Sequence, residues 1–147
     1  IMRPSDAKVT SLIKKWQKRL GLVGWNIRWE WVPQSVLLQD TGYNALASTG
    51  HDDSEQSASI HFSLEVEWDK GDFYTNEKFE DTVVHELLHI RMSAAEEKLD
   101  TIVRVGFHHL SPDLAKLVND LVVSSRERFI ETARTVIQEA ELWTTTK

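Results

Sequence analysis

Val83-Val84-His85-Glu86-Leu87-Leu88-His89-Ile90 sets two histidines four residues apart inside an apolar run. On a helix, positions i and i+4 lie on one face a turn apart, so the two imidazoles can converge on a single cation. Glu86 is rotated about 100° from His85, which puts its carboxylate beside such a cation rather than on it. A general base sits there when it takes a proton from water at a metal. The apolar flanks place the motif on a buried helix and not on a loop. Imidazoles on a buried face cost desolvation unless they are ligated or hydrogen-bonded. The competing reading is a surface pair, or a pair satisfied by ordinary hydrogen bonds. Zinc ligation is the preferred one.

The motif helix extends in both directions. Asn76 suits an N-cap, with Glu77 and Glu80 in the first turn, and the helix runs through Phe79, Val83, Val84, Leu87 and Leu88. Ser93 and Glu96 form a capping-box pattern that marks a break. Leu99, Ile102, Val103 and Phe107 continue a helical stripe, Gly106 to Pro112 is a turn, and Ser111-Pro112-Asp113 opens a long helix to about Leu142. Upstream the period falls to two. Ile60, Phe62, Leu64, Val66 and Trp68 alternate with polar residues from Ser59 to Trp68, a strand with one wet face and an expected antiparallel partner. Trp25, Ile27, Trp29 and Trp31 alternate likewise, up to Pro33. Tyr43 to Thr49 is a shorter strand candidate, Gly50 to Ser57 a polar loop, and Gln34 to Thr41 fits no single period. Val9, Leu12, Ile13, Trp16 and Leu20 make Ser5 to Leu20 an amphipathic helix. The expected fold is α+β: an N-terminal helix, a small and mostly antiparallel sheet, the motif helix and a long C-terminal helix, in one domain over residues 1–147.

The 147 residues are 41% apolar and include six tryptophans, enough for one core. The net charge of −6 argues against binding nucleic acid by neutralising phosphates, and against a basic membrane-surface helix. There is no cysteine, so any metal must be held by histidine and carboxylate. The same absence agrees with a reducing, cytoplasmic location. No apolar run has the length of a membrane span, and Ile1-Met2-Arg3-Pro4 has no signal-peptide h-region. Trp25, Trp29 and Trp31 could stack on bases or sugars, but their period-two placement with Ile27 reads as core.

A catalytic zinc takes three protein ligands and keeps one position open. The chain does not resemble the metzincin pattern HExxHxxGxxH, since Met92 stands where its glycine would be and Ala95 where its third histidine would be. Glu96 shares the apolar side with Leu99 and Val103, and Asp100 follows four residues on. It lies about 10 Å beyond His89 along an unbroken helix, so it reaches the metal only if the chain turns near Ser93. His108 and His109 sit in the expected turn and are a further option, while His51 and His61 read as surface residues. Tyr43 and Tyr74 could donate to an oxyanion.

His85-Glu86-Leu87-Leu88-His89 resembles the zincin metallopeptidase motif. The order of helix, short sheet and motif helix is similar to that of the small zincin-like metallopeptidases of bacteria and phages, including relatives of the ImmA/IrrE and SprT-like groups, over roughly Trp25 to Ile137. The resemblance implies zinc held by His85, His89 and a third downstream residue, with Glu86 activating water. Glu127-Arg128-Phe129-Ile130-Glu131 resembles the downstream ligand helix of gluzincin-like proteins. That likeness makes Glu127 the leading third ligand and Glu131 an acid orienting a ligand histidine, with Glu96 as the fallback. The alternative for Glu127 is a solvated position among Arg126, Arg128 and Glu131. The strand Ser59 to Trp68 is implied to line the cleft as a sheet edge that orients an extended peptide. The expected activity is zinc-dependent peptide-bond hydrolysis on a peptide or protein substrate, without nucleic acid or membrane as a direct partner. The rival expectation is a non-catalytic metal-binding or interaction protein on the same scaffold.

Overall fold

The structure, a computed structural model, describes residues 3–68, 79–93, 101 and 111–145. The chain divides into two compact units, Ile1–Arg91 and Met92–Lys147.

The first unit opens with helix α1, Asp6–Arg19. Ser5 caps it in extended conformation, its hydroxyl accepting from the Lys8 amide at 3.2 Å. Val9, Ile13 and Trp16 form the buried stripe that the spacing predicts. Strand β1, Asn26–Val32, follows and stops at Pro33, which has no N–H for a ladder. Residues Gln34–Thr41 form helix α2, a segment whose period was ambiguous because only Leu37 is buried. Gly42 ends α2 at φ 82°, a left-handed position that glycine takes without strain, and donates to the Leu38 carbonyl. Strands β2, Ala47–Asp52, and β3, Ser57–Ser63, form a hairpin. Three residues of the expected polar loop, Gly50, His51 and Asp52, are therefore the second half of a strand.

The three strands are ordered β1-β3-β2. The expectation of a mostly antiparallel sheet is corrected: β3 pairs antiparallel with β2 but parallel with β1. The chain leaves β1, passes through α2 to the far edge as β2, and turns back into the middle as β3. A one-faced alternation is the same in either direction of pairing, so the period could not reveal this. β3 is central, and it ends at Ser63 rather than at Trp68. Trp68 remains 1% exposed because its indole folds back to donate to the Ser63 carbonyl at 3.0 Å.

One face of the sheet carries the core. Phe62 and Ile60 are fully buried. The Phe62 ring lies 5.8 Å from Trp31, 6.4 Å from Trp68 and 4.8 Å from Phe79, the first residue of helix α3, Phe79–Arg91. Trp29 and Trp31 thus belong to the core and to its edge, with the Trp29 indole donating to Thr10 of α1 at 3.3 Å. Helices α1 and α3 both cover this face and are joined by Glu80. Its carboxylate accepts from Lys15 Nζ at 2.9 Å and from the Trp16 indole at 2.7 Å.

The second unit is described chiefly through helix α4, Pro112–Thr145. Ser111 accepts from the Leu114 amide, Pro112 takes the first turn and Asp113 faces the positive helix end, as the sequence signals predict. Along α4, Arg134 donates to Glu131 and to Gln138, the helical pairing expected of that face. Leu114, Leu117, Leu121, Phe129 and Val136 are exposed. Among the described residues no helix is long and apolar enough to cross a membrane.

Candidate metal centre

Helix α3 is buried on most of its circumference: Val83, Val84, Leu87, Leu88 and Ile90 are all at most 3% exposed. An apolar helix of this kind holds its polar side chains wherever its register puts them. His85 and His89 stack one turn apart, with ring centroids 5.1 Å apart and planes 64° apart. Both are half-buried. Glu86 is buried at 5% exposure.

Among the described residues, one group of histidine and acidic side chains could hold a metal ion. His85, His89 and Glu127 each offer one ligand atom, and these atoms lie within 4.8 Å of one another. Two imidazole nitrogens and one carboxylate oxygen make a three-donor set of the kind that holds a divalent metal ion. The side chain expected to be the leading third ligand is the one that completes this group.

Glu86 is held from the sheet. The Thr49 hydroxyl of β2 makes a short hydrogen bond to the Glu86 carboxylate, and the same oxygen lies 3.5 Å from the Glu86 carbonyl. Thr49 carries no signal in the sequence: it is an ordinary β-branched strand residue, 37 positions from its partner.

The other candidates have partners of their own or fall outside the description. Glu96, His108, His109 and Tyr74 lie outside the described residues. Glu131 has its carboxylate on Arg134. His51 is exposed at the end of β2, with Nδ1 at 2.9 Å from Asp53. Tyr43 is 49% exposed, next to the Thr41 hydroxyl that its amide donates to.

His61 sits on the wet face of β3, opposite the face that packs on α3, as strand alternation requires. Its Nδ1 is 2.9 Å from Asp40 and its Nε2 is 3.2 Å from Glu30. The hydrogen bond from His61, joined by one from Ser48, holds the Asp40 carboxyl below its ordinary value despite some burial. This group fastens α2 to the sheet.

The expected role of Ser59 to Trp68 as a cleft-lining edge is corrected as well. β3 is paired on both sides, so its backbone cannot accept another strand. Among the described residues the sheet edges are β1 and β2, and β2 is the one that reaches Glu86, through Thr49.

Comparison with protein-family models, curated proteins and solved structures finds no match to this chain.

Proposed function

We propose that this chain is a small zinc-dependent hydrolase, a metallopeptidase, with His85, His89 and Glu127 as metal ligands and Glu86 as general base. The observation that carries this reading is the three-donor group beside a buried glutamate that follows the first ligand directly in sequence. A purely structural metal site has no need of Glu86. Two imidazoles and a carboxylate suit zinc among the common divalent ions. Zinc bound there supplies a Lewis acid for the scissile carbonyl and makes water acidic enough to be deprotonated near neutral pH.

The chain's own residues do the rest. Glu86 takes a proton from the attacking water, whose oxygen forms the new bond to the carbonyl carbon. Glu86 then delivers that proton to the leaving nitrogen as the C–N bond breaks, so water and amide become acid and amine. The substrate is a peptide segment in extended form. A strand can add only at a sheet edge, and β2 is the edge nearest Glu86. The net charge of −6 disfavours polyanionic substrates.

The test is metal content by mass spectrometry together with hydrolysis of labelled casein. About one zinc per chain is expected, lost in His85→Ala and in Glu127→Ala. Glu86→Gln should keep the zinc and lose turnover by at least about a hundredfold. Equal turnover in Glu86→Gln would overturn the assignment of the base. Zinc without any hydrolysis would leave the non-catalytic scaffold as the better reading.

A further inference from the structure

We propose that Thr49 is a positioning residue for Glu86, an inference that rests on the reading of Glu86 as general base. A glutamate has three side-chain torsions, and a buried carboxylate that is not held samples several of them. A base that must meet one water oxygen gains from being preset. Thr49 supplies the restraint from the other element. It stands on β2 with its neighbour in the pleat, Ala47, buried on the same face, and it is paired in the ladder with Ile60. Its β-branched side chain has few χ1 options, so the hydroxyl is aimed by the strand itself.

The hydroxyl has a single proton and two acceptors of Glu86 within reach, Oε2 and the main-chain carbonyl at 3.5 Å. The carboxylate contact is the shorter, so the proton goes there. Holding Oε2 fixes the plane and direction of the carboxylate and thereby the place of its second oxygen. The hydrogen bond also offsets the cost of burying a polar group at this position. Neither effect requires Thr49 to touch substrate or metal.

The experiment compares the full chain with Thr49→Val, which keeps the shape and removes the hydroxyl, Thr49→Ser, which restores it, and Glu86→Gln. Two readouts are taken at one fixed pH on equally loaded proteins. The first is kcat and KM on fluorescein-labelled casein with zinc. The second is the visible d–d spectrum with Co²⁺, which responds to the hydrogen bonding around the coordination sphere. Thr49→Val should lower kcat about tenfold or more with KM unchanged, and should shift the Co²⁺ bands in the direction that Glu86→Gln does. Thr49→Ser should return both to near wild type. A residue that only braced the fold would lower the melting temperature and leave the spectrum of the folded protein alone. Wild-type kcat, or a wild-type spectrum in Thr49→Val, would overturn the role of Thr49 and leave the metallopeptidase reading intact. If the unmodified chain takes up no metal, both fall. If it binds Co²⁺ and hydrolyses nothing, with the Thr49→Val spectrum unchanged, the positioning role falls with the hydrolase.

Discussion

Glu80 links a charge to an indole, and the two contacts answer to different substitutions. Its carboxylate accepts from Lys15 at 41% side-chain exposure and from Trp16, which is 2% exposed. The exposed ion pair contributes little. The indole matters more, because a buried N–H left without an acceptor costs about 1–3 kcal/mol. Glu80→Ala should therefore destabilise the first unit by about 2 kcal/mol, and Glu80→Gln by clearly less, since an amide oxygen can still accept from Trp16. Partial burial pushes the Glu80 carboxyl up, but hydrogen bonds from Lys15 and Trp16 outweigh it and hold the group below its ordinary value of 4.5. Between that lowered value and 4.5 the unfolded chain binds more protons than the folded one, so stability rises with pH there. The contribution is complete above 4.5 and is lost as pH falls through the lowered value. Urea midpoints from pH 3 to 6 should show a steeper acid loss for the wild type than for Glu80→Gln. Parallel curves would mean that the ionised form of Glu80 is not favoured by folding. The same scale explains what was readable at the site. His85, Glu86 and His89 are related by helical geometry alone, which is local. Glu127 is separated from them by a long stretch of chain and is legible only through a resemblance, and Thr49 is not legible at all. A hydrogen bond between a strand and a helix leaves no periodic trace in either.

At the scale of the elements, alternation identified the faces of β1 and β3 but not their neighbours. Trp29 and Trp31 lie on the core-facing side of β1, half-buried against Phe62, because a period of two fixes sidedness whatever the pairing. The parallel join of β1 to β3 depends on where α2 and β2 carry the chain, which is set by tertiary packing. β3 is shorter than its alternating stretch for a related reason. Beyond Ser63 the β1 partner has run out at Val32, and Pro33 offers no amide, so the chain bends. Trp68 keeps its buried place through its bond to the Ser63 carbonyl and not through a ladder. This makes Phe62 the centre of an aromatic cluster drawn from four segments: Trp31 of β1, β3 itself, Trp68 of the bend and Phe79 of α3. Phe62→Ala should cost about 3–5 kcal/mol, because rings held by several elements cannot collapse into the void. Phe62→Leu should recover more than half of that. Chemical denaturation measures both, and a cost under 1 kcal/mol for the alanine variant would mean that the cluster repacks freely around the hole.

For the molecule as a whole, the metal proposed at His85, His89 and Glu127 is also a ligand of the native state. The unfolded chain has the same donors but no geometry to bring them together, so binding adds to the stability of the fold by mass action. At a free zinc concentration a hundred times the dissociation constant the gain is about 2.7 kcal/mol. For a chain of this length that corresponds to a rise in Tm of roughly 5–10 °C. The rise should be reversed by a chelator and be absent in His85→Ala and in Glu127→Ala. It should persist in Glu86→Gln, because the base lies beside the metal and does not hold it. Scanning calorimetry with and without zinc separates these cases independently of any substrate. A Tm that zinc leaves unmoved in the wild type, at concentrations where other His-rich helices are saturated, would remove the metal from the fold and the chemistry together. A Tm raised equally in Glu127→Ala would keep the two histidines and assign the third donor to another residue.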